Sequence, residues 1–192
     1  MAIDLMLFKL GNSLAGRSPI LDTVIRILMN DYALTTALVL VLFALWFSGK
    51  SPTTREQNQR AVLSAITSMF LDNLIIKALN LAYYRPRPFA EHPVTLLFYR
   101  PSDSSFPSNA TSVGFCIATS VWLFNRKVGF ILYVLASLLG LARLCGGVHY
   151  PSDILGGMLV GVFSAYLVVR KIRFLGQLWT VIIQRLRRLL LA

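Results

Sequence analysis

This chain is short of charge. Asp, Glu, Lys and Arg make up 14% of its 192 residues, against about 25% in a soluble domain. Acidic residues are scarcer still, eight against nineteen basic ones. With 56% hydrophobic residues and a mean hydropathy of +0.64, the shortage of charge excludes an ordinary water-soluble domain. Cysteine is limited to Cys116 and Cys145, within or at the end of apolar runs and without metal-ligand spacing, so buried free thiols are expected. A basic start is missing before the first apolar stretch and Asp4 interrupts that stretch, so a cleavable signal peptide is not expected. Repeats and low-complexity tracts are missing too, and residues 1–192 read as one domain.

Long apolar runs are abundant. Tyr32–Phe47, Ala61–Tyr83, Ser108–Phe124, Val128–Ala142 and Ile154–Val169 each approach the roughly 20 residues that carry a helix across a bilayer. They are continuous instead of alternating, which argues against a barrel, and hydrocarbon offers no partner to an unpaired backbone group. The expectation is an all-α, polytopic membrane helical bundle of five to six transmembrane helices with amphipathic helices at both ends. Residues 2–14 have an apolar stripe broken by Asp4, Lys9 and Asn12, which suits a helix lying in the interface. Ser18-Pro19 resembles a capped helix start, and the helix Ile20–Met29 it opens, with Asp22 and Arg26 at i,i+4, is too short to span. Leu175–Ala192 is basic, amphipathic and carries Trp179, as expected of a helix resting on anionic lipid headgroups. Trp46 and Trp122, near span ends, read as interface anchors. Asp72 and Asn73 inside the second run should face the bundle, because polar groups are costly in lipid. Gly156, Gly157 and Gly161 permit close helix packing.

The net charge of +11 is distributed unlike that of a nucleic-acid binder. Arg170, Lys171, Arg173, Arg185, Arg187 and Arg188 follow the last apolar run, Lys50, Arg55 and Arg60 flank the first hairpin, and Arg126 and Lys127 sit in the second. Alternating spans place all three regions on one side, which the positive-inside rule makes cytoplasmic. Membrane lipids, not nucleic acid, are the expected surroundings. The side of the N-terminus stays open, as does the oligomeric state. The polar loop from Tyr84 to Pro107 then faces outward, together with the segment Arg143–Asp153, and a loop that long usually carries function.

Arg143, His149 and Asp153 form the most informative pattern. An arginine six residues before a histidine supplies a fixed cation for an anionic group. A carboxylate four residues after the histidine can hold one imidazole tautomer and stabilise its charged form. Two further motifs share the outward side: Arg85-Pro86-Arg87-Pro88 and Phe106-Pro107-Ser108-Asn109-Ala110. Together the three resemble the type 2 phosphatidic acid phosphatase superfamily, membrane lipid phosphatases that share a site with vanadium haloperoxidases, over about residues 60–170. Within it, the short chain, the Arg-Pro-Arg-Pro-Phe and Phe-Pro-Ser motifs and His149-Tyr150-Pro151-x-Asp153 are most similar to undecaprenyl-pyrophosphate phosphatases.

The resemblance implies roles residue by residue. Arg87 takes the place of the first phosphate-clamping arginine and Arg143 that of the second, with Ala142 where serine is usual. The family's lysine position falls on Asn80, with Lys77 one turn back on the same helix. Ser108 matches the phosphate-binding serine, and the backbone N–H groups of Ser108 and Asn109 open a helix whose N-terminus favours an anion. His149 matches the nucleophile and Asp153 its orienting carboxylate. Of Arg85 and Arg100, Arg85 is the better placed for another phosphate contact, and His92 is a candidate stand-in acid, although a solvated loop position suits it better.

Ala110 stands where the family keeps the histidine that protonates the leaving group. A lipid alkoxide has a conjugate acid near the pKa of water, roughly 16, whereas a phosphate leaving group has a second pKa of about 6. The departure therefore favours a diphosphate substrate. A His→Ala change made to trap an inactive form would look the same. The implied reaction has two steps: His149 attacks the terminal phosphorus, then water hydrolyses the phosphohistidine, releasing the monophosphate of a polyprenyl (undecaprenyl) pyrophosphate. Fixed cations fill a metal's role, so neither metal nor cofactor is expected. Eight carboxylates, with only Asp153 in the core motifs, are too few for a two-metal site. The expected location is the plasma membrane, with the site facing outside the cytoplasm. Two alternatives remain: hydrolysis of phosphatidic acid, phosphatidylglycerol phosphate or another lipid phosphate, and non-catalytic binding of lipid phosphates.

Overall fold

The computed structural model describes residues 2–188, which form helices joined by loops and contain no strand. In chain order the helices are α1 (Ala2–Asn12), α2 (Pro19–Met29), α3 (Asp31–Phe47), α4 (Pro52–Ala82), the short α5 (Pro88–Glu91), α6 (Asn109–Trp122), α7 (Arg126–Cys145), α8 (Pro151–Tyr166), which runs on into a π-helical turn (Leu167–Lys171), and α9 (Arg173–Arg188). Local chemistry sets many of these boundaries. Asn30 caps α3 by accepting the N–H groups of Tyr32 and Ala33, Ser51 caps α4 at Thr54 N–H, and Asn125 caps α7 at Val128 N–H. Pro19, Pro52, Pro88 and Pro151 sit in first turns, where a missing N–H is no loss. Ser18 occupies the cap of α2 without bonding it; Asp22 instead accepts Gly16 N–H and Arg26 reaches the Leu97 carbonyl, so the expected i,i+4 pair is divided between two other partners.

Among the described residues, three segments are long and apolar enough to cross a membrane: α4, α7, and α8 with its π turn; α3 adds a shorter apolar stretch over Thr36–Phe47. At 31 residues, α4 is about 46 Å long and overshoots the roughly 30 Å hydrocarbon core. Phe70, Leu74, Phe130, Ile131, Val134, Leu138, Leu155, Leu159 and Phe163 point outward at helical spacing on α4, α7 and α8. Apolar surface on that scale is tolerable in lipid and not in water. The run around α6 behaves differently from expectation. With 14 residues it is too short to span, and it is enclosed by α4, α7 and α8, its residues Thr111, Ser112 and Gly114–Val121 all buried.

Close approach between α6 and α8 requires glycine. A Cβ on Gly157 would lie 2.4 Å from the Ser108 carbonyl oxygen, and one on Gly161 2.2 Å from that of Ser112, so backbones meet where side chains usually intervene. Asp72 is fully buried and joins three helices, accepting from Ser112 on α6 at 2.6 Å and Ser164 on α8 at 3.4 Å. Asn73, expected to face inward beside it, is exposed and folds back onto the Met69 carbonyl. One residue beyond Asp72 turns about 100° round the helix, away from the bundle.

The terminal helices are parts of the fold as well as candidate surface anchors. On α9, Trp179 and Ile183 are buried, and Arg60 on α4 bonds Thr180 and Gly176. Residues 189–192 of the expected basic helix lie outside the described residues. On α1, Asn12 donates to the carbonyls of Thr95 and Cys145 and accepts Thr95 N–H. The N-terminal helix therefore packs at the end of the bundle that holds the Arg143–Asp153 segment.

Candidate functional site

A cavity of about 390 Å³ opens at that end, lined on one side by Arg87, Asp103, Asn109, Ala110, Arg143 and His149 and on the other by Leu38, Val113 and Leu139, with Asn30, Tyr99 and Pro101 completing it. Chain segments far apart in sequence converge here. Arg87 lies just before α5, Asn109 and Ala110 open α6, Arg143 ends α7, and His149 sits in the turn before α8. Gly147 makes that turn with φ +84°, and a Cβ there would come within 3.0 Å of the Thr95 carbonyl oxygen; a left-handed residue against a backbone wall has to be glycine.

His149 is 3% exposed. Its Nδ1 lies 2.9 Å from the Ser105 carbonyl oxygen and its Nε2 3.1 Å from Arg87 Nη1. Guanidinium only donates, so Nε2 accepts, and Nδ1 carries the proton and gives it to Ser105. The ring is thus held in one tautomer with a lone pair on the nitrogen beside Arg87. Burial is the main cause that pushes the His149 pKa below its ordinary value, opposed by Asp153 and reinforced by the cations Arg87 and Arg143. The ring is neutral near pH 7.

Asp153 was expected to bond the imidazole itself. The structure puts its Oδ2 3.7 Å from His149 Nδ1, beyond a hydrogen bond, because the Ser105 carbonyl holds that position. Asp153 is occupied by Ser105 Oγ, by Tyr150 N–H at 2.8 Å and by Arg85 Nη1 at 2.6 Å. The carboxylate therefore acts on the ring by its charge and through Ser105. Ser105 escaped the sequence reading, since a serine whose contribution is a backbone carbonyl leaves no signal in its side chain.

Arg87 is buried and fixed: it donates to the Val148 carbonyl at 3.1 Å and to Asp103 Oδ1 at 2.8 Å. Arg143 is buried with its guanidinium 4.7 Å from the centre of the Phe98 ring. Both line the cavity, as do Asn109 and Ala110. Ser108 does not. Its N–H donates to the Asp153 carbonyl at 3.0 Å and its hydroxyl pairs with Thr111 at 3.0 Å, so the tight α6–α8 contact takes the groups expected to meet an anion. Lys77 and Asn80 also lie outside the lining. Ser68, Asp72 and Ile76 form the buried row of α4, which leaves Lys77, one residue on, exposed; Asn80 continues that row and is half-buried, yet does not reach the lining.

Arg85 faces away from the cavity. It is engaged by Asp4 at 2.7 Å and Asp153 at 2.6 Å, which corrects its expected phosphate contact. His92 sits beyond it, edge-on to Tyr150 at 6.4 Å, on a second cavity shared with Asp4 and Glu91, and so cannot stand in for an acid at Ala110. Arg100 is exposed, 5.9 Å from the Phe89 ring centre. Among the described residues, no three His, Cys, Asp or Glu side chains cluster as metal ligands.

A lipid-embedded helical bundle with a histidine and two arginines around one cavity describes a class of membrane proteins that handle phosphorylated lipids. The PAP2 superfamily profile matches residues 61–177, and the chain belongs to that superfamily. It is 32% identical over 164 residues to the undecaprenyl-diphosphatase BcrC of Bacillus subtilis, covering 85% of this chain and 81% of that one. The solved structure of Aquifex aeolicus LpxE superposes with a TM-score of 0.69 at 29% identity, over 88% of this chain and 96% of that one. A PAP2-type phosphatidylglycerolphosphate phosphatase from Bacillus subtilis gives 0.61 at 25% identity, over 89% and 88%.

Proposed function

We propose that this membrane lipid phosphatase hydrolyses a polyprenyl pyrophosphate, undecaprenyl pyrophosphate being the type case, to the monophosphate, at the extracytoplasmic face of the plasma membrane. The observation that carries the reading is the fixed tautomer of His149, its Nε2 lone pair beside Arg87 in a cavity that also holds Arg143. Nε2 attacks the terminal phosphorus. The N–P bond forms as the bond to the bridging oxygen breaks, and the lipid monophosphate leaves with that electron pair while Arg87 and Arg143 balance charge on the phosphoryl oxygens. Water then attacks phosphorus, the N–P bond returns its pair to Nε2, and inorganic phosphate departs with the water's proton released. Fixed cations make a metal unnecessary in this scheme.

Substrate choice rests on Ala110. A methyl group lines the cavity where family members place an acid, so a leaving group that departs unprotonated is favoured, and a phosphate does so with its second pKa of about 6. The 32% identical relative is named an undecaprenyl-diphosphatase, which agrees. Leu38, Val113 and Leu139 give the cavity an apolar wall suited to the first carbons of a lipid. The test is phosphate release by purified protein from undecaprenyl pyrophosphate beside phosphatidic acid and phosphatidylglycerol phosphate. The expected result is a preference for the pyrophosphate of at least about 10²-fold, the scale of a missing general acid, and complete loss in His149→Ala. Preference for monoesters would overturn the substrate assignment. Ala110→His should raise monoester turnover; silence of that variant on every lipid phosphate would point to a non-catalytic binder.

A further inference from the structure

Asp4 lies on α1, before the matched family region, and it points into the protein. Its Oδ2 accepts from Arg85 Nη2 at 2.7 Å and from the Ser152 hydroxyl at 2.6 Å, and its Oδ1 accepts Ser152 N–H at 2.9 Å. Arg85 in turn donates through Nη1 to Asp153 and to Ser152 Oγ, both at 2.6 Å, with its guanidinium 4.2 Å from the centre of the Tyr150 ring. Taken alone, that guanidinium would cancel the charge Asp153 offers the imidazole 3.7 Å away.

We propose that Asp4 is a positioning residue for His149: it anchors Arg85 against Asp153 and leaves the Asp4–Arg85–Asp153 cluster with one net negative charge behind the ring. The inference deepens the proposed function and rests on His149 being the nucleophile. The ring is flanked unequally. Towards the cavity it faces Arg87 and Arg143, with Asp103 2.8 Å from Arg87. Behind it stand Asp153, Arg85, Asp4 and Tyr150, whose hydroxyl donates to Glu91 at 3.4 Å, with His92 beyond. As Nε2 bonds to phosphorus, positive charge develops on the imidazole, and two guanidiniums oppose it from the front. A cluster that summed to zero would supply no counterweight; with Asp4 it does. Burial works to raise the Asp4 pKa, but hydrogen bonds from Ser152 and Arg85 outweigh it and hold the carboxyl below its usual range, so it is ionised throughout the neutral range.

The experiment is kcat/KM against pH for the full chain in detergent with undecaprenyl pyrophosphate, comparing wild type, Asp4→Asn, Asp4→Glu and Ser152→Ala. Removing the negative charge disfavours the imidazolium, so Asp4→Asn should move the acid limb to lower pH by about half a unit. Its plateau should fall roughly tenfold, the scale on which outer residues that orient a reacting group act. Asp4→Glu should restore both. Ser152→Ala removes the hydroxyl's hydrogen bonds with Asp4 and Arg85 but no charge, and should leave the limb in place. An acid limb unmoved in Asp4→Asn, whatever its plateau, overturns the proposal, as does an equal shift in Ser152→Ala. Retained turnover in His149→Ala would instead overturn the nucleophile assignment, so the two failures are distinct.

Discussion

Asp72 and Asp153 are both shut off from solvent, on helices that pack against the same partner, α6. Asp153 has an arginine at 2.6 Å, a serine hydroxyl and a backbone N–H. Asp72 has two serine hydroxyls on one oxygen, and its other oxygen lacks a hydrogen-bond partner among the described residues. One carboxylate sits in a built electrostatic setting; the other ties three helices together. Depth of burial alone would not tell them apart, but the kind of neighbour does.

That contrast can be broken by substitution. Asp153→Asn should lower kcat by about 10²-fold, the upper end of the scale on which outer residues that support a reacting group act, while Asp72→Asn should leave kcat near that of wild type and Asp72→Ala should lower stability by about 1–2 kcal/mol. Phosphate release and thermal unfolding in detergent measure both, and equal losses of kcat would erase the distinction. Next in size, Gly161→Leu should destabilise by about 3 kcal/mol or more, because its side chain must displace the Ser112 backbone; unchanged unfolding would show that α6 and α8 can part without penalty. The smallest effect is on pH. His149 takes up its proton less readily folded than unfolded, its pKa lying below the ordinary 6.5. Above that value its neutral form adds nothing to the pH dependence. As pH falls through it the unfolded chain binds the extra proton, and stability should drop by about 1 kcal/mol per unit. Thermal unfolding at pH 7.5 and 5.5 should show a steeper loss in wild type than in His149→Gln.

Much of this was legible from the residues. The all-helical class followed from continuous apolar runs, although the run around α6 folds into a helix too short to span, and His149, Arg87, Arg143, Asn109 and Ala110 line one cavity. Ser108 and Lys77 do not, because a motif fixes order along the chain while the α6–α8 contact and the helical phase of α4 decide which groups are free to face the cavity; Asn80, on the inward row of α4, stops short of the lining. Asp4 and Asn12 were visible only as interruptions of an apolar stripe; breaks in a local pattern are where functional sites are expected, and here each joins α1 to a loop near the site. Arg85 was misassigned for the same reason, since its partner Asp4 lies 81 positions away.

The enclosure of α6 has a consequence for how the molecule tolerates change. A segment walled in by its neighbours has no need to be greasy, and it carries Thr111, Ser112, Thr119 and Ser120 at its heart. Its sequence answers to volume and hydroxyl pairing, as the interior of a water-soluble protein does, and a saturation scan there should sort substitutions by size, whereas on the outer faces of α7 and α8 it should sort them by hydrophobicity.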